Sequence, residues 1–186
     1  MELRPLGHPD RVISLSNIAS SLHIRFKQLG TIADIDEALA LERAALELRP
    51  QGHPQRALSL GNIASDLQSR FIQLGTLSDL EEALALQRNA LELLPRGHSY
   101  RVISLGNLAD FLYMRFKHLG VLSDLDGALS LYRDTLELFP QGHPYRALSL
   151  VNIARCLYAR FTQLGTLSFI FGNPFPVPPC SIQATV

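Results

Sequence analysis

The pair Gly-His recurs at Gly7-His8, Gly52-His53, Gly97-His98 and Gly142-His143, always 45 residues apart. Over the first 24 positions of the four copies, 12 hold the same residue every time: in the first copy Gly7, His8, Arg11, Ser14, Leu15, Asn17, Ala19, Leu22, Arg25, Phe26, Leu29 and Gly30. A fixed period of this length constrains a fold strongly. Each unit becomes one supersecondary element, and near-identical neighbours stack to share a continuous core.

Within a unit the punctuation is helical. In the second copy His53-Pro54 opens a helix A, proline suiting the first helical position because its missing N–H has no intrahelical partner there. Leu60, Ile63, Ala64, Leu67, Phe71 and Leu74 follow at the three-and-four spacing of one helical face. Gly75 stops the helix, since glycine takes the left-handed conformation at little cost. Ser78-Asp79-Leu80-Glu81 reads as a capping box for a helix B. Leu80, Ala83, Leu84, Leu86, Ala90, Leu91 and Leu93 give it a broad apolar face, and Pro95 ends it. The spacing predicts helices over 9–29, 34–49, 54–74, 79–94, 99–119, 124–139 and 144–164. The fold class is all-α, an α-solenoid of antiparallel helix pairs.

These residues resemble the tetratricopeptide family. That family carries small residues seven apart in helix B and a proline five later, and Ala83, Ala90 and Pro95 fit. Its helix-A Leu-Gly pair stands here as Leu60-Gly61 and Leu105-Gly106. The helix-A tryptophan is replaced by Val12, Ala57, Val102 and Ala147, and the next aromatic by Ala19, Ala64, Ala109 and Ala154. The helix-B aromatic is Glu42 and Gln87 in two copies, and only Tyr132 keeps it. Helix A is also about three turns longer than in the family's shorter unit. This long variant is similar to the arrays that precede CHAT domains in fungal proteins, and more distantly to kinesin light chain arrays. The resemblance covers 1–168 and implies a right-handed superhelix that binds protein ligands. No CHAT domain follows, so protease activity does not carry over.

The organisation expected is the end of a preceding repeat (1–6), repeats at 7–51, 52–96 and 97–141, a fourth reduced to helix A (142–168), and an irregular proline-rich tail (169–186). The fourth copy keeps Gly165-Thr166-Leu167-Ser168, then reads Phe169-Ile170-Phe171 where Asp79-Leu80-Glu81 would correspond. Pro174, Pro176, Pro178 and Pro179 forbid a helix B there. Leu150, Ile153, Leu157, Phe161 and Leu164 are then left uncovered, so self-association through that end is expected.

Composition narrows the function class. Lys plus Arg and Asp plus Glu both number 17, a formal net charge of zero, which offers no basic stripe for nucleic acid. Cys156 and Cys180 have neither metal nor redox spacing. No apolar run approaches the roughly 20 residues of a membrane-spanning helix, and Met1 to Leu6 lacks the basic and apolar regions of a signal peptide. A cytoplasmic chain with no cofactor and no metal is the expectation.

The candidate sites all recur with the repeat. His8, His53, His98 and His143 cannot share a metal: zinc–nitrogen bonds are about 2 Å, whereas packed helices stand roughly 8–10 Å apart. Their expected partner is the turn before helix A. The A segments hold 11 bases against three acids and the B segments 13 acids against five bases. Arg25, Arg70, Arg115 and Arg160 are therefore expected to pair with helix-B carboxylates along an exposed rim, the alternative being an anion-binding ladder. Asn17, Asn62, Asn107 and Asn152 match the helix-A position that faces the groove in peptide-binding members of the family, where an amide clamps a peptide backbone. They read equally well as bonds between adjacent A helices. Four residues earlier stand Ile13, Leu58, Ile103 and Leu148 in place of the lysines of a carboxylate clamp. Specificity would fall to the variable columns Ser20, Ser65, Asp110, Arg155 and Ser21, Asp66, Phe111, Cys156. The function expected is a protein-interaction scaffold, not an enzyme, with a protein or peptide ligand. The alternatives are a regulatory fragment of a CHAT-type protease lacking its catalytic domain, or a truncated gene product.

Overall fold

The computed structural model describes residues 8 and 10–171, with the backbone alone for 164–171. The expectations for 1–6 and for the tail from 172 onward lie outside the described residues. Seven helices follow in order: α1 (Arg11–Leu29), α2 (Ile32–Glu47), α3 (Arg56–Leu74), α4 (Leu77–Glu92), α5 (Ser99–Leu119), α6 (Leu122–Leu138) and α7 (Pro144–Phe171). No strand occurs among the described residues. Each helix packs chiefly on the one before it and the one after it. The chain is an all-α solenoid of helix pairs.

The stops predicted from glycine hold in three copies. Gly30, Gly75 and Gly120 adopt φ of 70°, 70° and 73°, and their N–H groups donate to the carbonyls of Phe26, Phe71 and Phe116 at 2.7 Å. The fourth does not hold: α7 continues through Gly165 to Phe171. In the other copies the chain turns at glycine because a helix B docks back onto helix A. Residues 166–171 form no such helix, and a glycine inside a helix costs only about 1 kcal/mol.

The capping box is also corrected. Helices α2, α4 and α6 begin two residues earlier than predicted, at Ile32, Leu77 and Leu122, and no side chain caps them. Ser78 lies inside α4. The first-turn carboxylates Asp34, Asp79 and Asp124 are buried and are claimed by the arginines of helix A.

Small residues let the pairs close. Ala38, Ala83 and Ala128 are fully buried, as are Ala45 and Ala90, with Thr135 taking the same place in the third copy. One core cluster joins Leu39 of α2 to Ile63, Leu67 and Phe71 of α3, Leu80 and Leu84 of α4, and onward to Cys156 of α7. Burying side chains of this size contributes roughly 1.5–3 kcal/mol each.

The recurrent histidine and arginine build the turns between repeats. Nδ1 of His53 accepts from the N–H of Gln55 at 3.1 Å, and His8, His98 and His143 accept likewise two residues ahead. This is the turn role expected of them. Arg101 Nη1 donates to the carbonyls of Leu91 and Leu94 at 2.8 and 2.6 Å, and Arg146 to those of Leu136 and Phe139. Arg56 does the same at the end of α2. Each guanidinium therefore satisfies carbonyls that the preceding helix B leaves without intrahelical partners.

Candidate functional site

Helices α1, α3, α5 and α7 share one face of the array. A depression of 520 Å³ is walled by Gln68 and Phe71 of α3, Tyr113, Met114 and Lys117 of α5, and Arg155 of α7, all from A helices. An A helix inside the array is flanked by its own helix B and by the helix B before it. Its free face is accordingly a narrow strip.

On that strip two columns run through every copy. Ile13, Leu58, Ile103 and Leu148 are exposed aliphatic side chains. One turn further on stand the asparagines. Both columns meet in a cavity of 220 Å³ between α5 and α7, lined by Ile103, Asn107, Asp110, Leu148 and Asn152, with Tyr132 of α6 among its walls. The cavity is mainly apolar, with two carboxamides: Asn107 is half-buried and Asn152 buried, and neither side chain has a hydrogen-bond partner among the described residues. An apolar hollow with a few convergent polar groups is the usual form of a ligand site.

The asparagines are not equivalent. Asn17 is exposed and Asn62 half-buried. Asn62 donates from Nδ2 to Oε1 of the buried Glu42 at 3.1 Å, so in the second copy the amide serves an interhelical bond. The bond runs to the preceding helix B, α2, and not to an adjacent A helix as expected.

The groove's variable residues divide as well. Ser65 lines a second cavity of 210 Å³ between α1 and α3, together with His23, Glu42 and Asn62. Asp110 accepts from Tyr132 Oη at 2.5 Å and from Arg155 Nη2 at 3.3 Å, and Arg155 lies over the Tyr113 ring at 4.2 Å from its centroid. Burial and the adjacent Asp110 carboxylate push the Tyr132 phenol well above its ordinary range, so it remains a donor. Phe111, however, is 1% exposed and belongs to the core. Cys156 beside it in the same column is buried too, and Asp66 is buried against Nδ1 of His23 at 2.5 Å. Phe111 is therefore not groove surface, whereas Asp66 lines the floor of the cavity between α1 and α3 beside Ser65, with its carboxylate turned to His23.

Sequence reading did not single out Tyr132, a buried core side chain that walls the cavity and whose hydroxyl reaches Asp110. The signal was present: Glu42, Gln87 and Tyr132 occupy one column of the repeat and differ in every copy. All three are buried, and each meets the A helices: Glu42 through Asn62 and Ser16, Gln87 through the Ser104 carbonyl, Tyr132 through Asp110.

Among the described residues no group of three His, Cys, Asp or Glu could hold a metal ion, and no helix is long and apolar enough to cross a membrane.

The fold has solved counterparts. A crystal structure of a Podosopora anserina chain described as a kinesin light chain with nearly identical TPR-like repeats matches with a TM-score of 0.62 at 20% identity, over 84% of this chain and 69% of that one. A second crystal structure of that description gives a TM-score of 0.38 at 19% identity, over 89% of this chain and 94% of the other. The first likeness shows the fold: this is a TPR-like helical array. No family model matches the chain, and no curated protein matches it.

Proposed function

We propose that the array is a non-catalytic scaffold that holds a peptide or helix from another protein along the A-helix face. The observation that carries this reading is the cavity between α5 and α7, where Ile103 and Leu148 supply an apolar hollow and Asn107 and Asn152 supply unengaged amides. An apolar anchor of the ligand enters the hollow, and the amides, donor and acceptor at once, hold its backbone. Repeats 7–51, 52–96, 97–141 and the helix-A unit 142–168 are the modules of recognition, with Ser65, Asp110 and Arg155 varying the edge of the strip.

Panning a random peptide library on the intact chain tests it. Recovered peptides should lose about tenfold or more in affinity for Asn107→Ala/Asn152→Ala, with the variant's circular dichroism unchanged. Absence of any enriched peptide, or equal binding by the variant, overturns the reading.

A further inference from the structure

The outer face of α7 lacks what covers its equivalents. Leu150, Leu157 and Phe161 are 52%, 45% and 75% exposed, whereas Leu60, Leu67 and Phe71 at the same places in the second copy are 5%, 0% and 8% exposed. In that copy the cover is α4: Leu60 packs with Ala90 and the following Leu94, and Leu67 and Phe71 with Leu80, Ala83 and Leu84. An electrostatic half accompanies the apolar one. Arg25, Arg70 and Arg115 each grip a first-turn aspartate of their own helix B through Nε and Nη2, at 2.6 to 2.9 Å. Arg160 is the fourth member of that column. Among the described residues it meets only Asp126 of the preceding repeat, at 3.3 Å through Nη1, which is the counterpart of the Arg70–Asp36 contact. The edge of the guanidinium that takes the aspartate elsewhere meets no carboxylate among the described residues.

We propose that this face is a docking site for an amphipathic helix supplied by another polypeptide, carrying an aspartate in its first turn and apolar residues at the spacing of Leu80, Ala83, Leu84 and Ala90. The aspartate would complete a bidentate pair with Arg160, and the apolar residues would cover Leu150, Leu157 and Phe161. Charge complementarity selects the occupant. Residues 138–186 hold no Asp or Glu, so they have no side-chain carboxylate to offer. A second folded copy offers no free first-turn aspartate of a helix B, because Asp34, Asp79 and Asp124 are each committed to their own arginine. The site lies on the outer face of α7 and is separate from the groove.

The test uses the full chain and a labelled synthetic peptide with the sequence of residues 76–96. Fluorescence anisotropy should show saturable one-to-one binding, and circular dichroism should show a gain of helix on mixing. Asp79→Asn in the peptide should weaken binding about tenfold or more, and Arg160→Gln in the chain should do the same. Combining the two should add little further loss. The peptide substitution leaves the protein untouched, so the pairing is tested even where Arg160→Gln disturbs folding. Asn107→Ala/Asn152→Ala in the groove should leave this binding unchanged. The proposal is overturned by absence of saturable binding, by indifference to Asp79→Asn, by loss of binding in the groove variant, or by sedimentation showing a homodimer that the peptide does not dissociate.

Discussion

Arg70 grips Asp79 with two parallel hydrogen bonds, 2.9 Å from Nε and 2.6 Å from Nη2, and uses Nη1 to reach Asp36 of the preceding repeat at 2.7 Å. Asp79 is buried while Arg70 keeps an edge at the surface. One guanidinium thus ties helix A to its own helix B and to the repeat before. Removing it as Arg70→Ala leaves a buried carboxylate without its cation, which costs about 3–5 kcal/mol. Arg70→Leu/Asp79→Leu should cost markedly less, because no charge is left stranded. Urea denaturation of the three chains checks both statements. Equal losses would mean that packing, and not charge, sets the cost.

Glu42 is the counterpart of Gln87 and Tyr132, and of these three buried side chains it is the one with a carboxyl. Burial pushes its carboxyl above the usual range, with the Asp66 carboxylate adding to the rise, while Asn62, Arg49 and Ser16 oppose it. A carboxyl whose pKa is higher folded than unfolded binds more protons in the folded state, so its contribution to stability falls as pH rises through that window. Glu42→Gln removes this dependence and keeps an oxygen for Asn62. The variant should gain stability over the parent at pH 7 and lose that advantage near pH 4, below the ordinary glutamate range. Paired denaturation curves at the two pH values are the measurement. A larger advantage at pH 4 would reverse the sign and refute it.

Gly61 and Gly106 hold the same place in successive helices, yet their surroundings differ. A Cβ added at Gly61 would lie 2.5 Å from the Tyr100 hydroxyl, whereas one at Gly106 meets nothing within 4 Å. Gly106→Ala should therefore stabilise the fold by about 0.5–1 kcal/mol through the cost of glycine in a helix interior. Gly61→Ala should gain less or lose, since Tyr100 must give way. Thermal melts of the two variants rank them.

Arg101 closes the end of α4 on the Leu91 and Leu94 carbonyls. Arg101→Ala should cost about 1.5–3 kcal/mol, the range for hydrogen bonds to a charged donor. The loss should be accompanied by faster amide exchange in the last turn of α4. Unchanged exchange there would remove the capping role.

Periodicity made the architecture legible. The Gly-His turn, the Phe-x-x-x-Gly stop and the aliphatic spacing are local signals that each copy repeats, and the helix pairs follow them within two residues over most of the chain. The capping box misled because Ser78 and Glu81 satisfy a local rule, while the actual partner of Asp79 is Arg70, nine residues earlier on another helix. The same limit applied to the groove. Phe111 and Ser65 both differ between copies, but only packing by two flanking B helices separates a core position from a surface one. Tyr132 was hidden because it reaches the cavity from helix B, through a contact 22 residues from Asp110. The arginine–aspartate pairing was readable from the opposite charges of the two helix types, although its carboxylates are buried and do not lie along an exposed rim.

The unbroken run of α7 through Gly165 has a practical meaning for anyone who would splice such arrays. Three identical glycines bend the chain and a fourth does not, so the bend belongs to a pair of helices and cannot be transplanted as a residue. A graft cut at the glycine would inherit a straight rod, and its downstream module would point along the helix axis. Junctions are better placed in the loop after helix B, where Pro50, Pro95 and Pro140 end the segment before the Gly-His turn begins. Fusing through α7 deliberately would instead set a second domain at a distance fixed by helix rise, about 1.5 Å for every residue added.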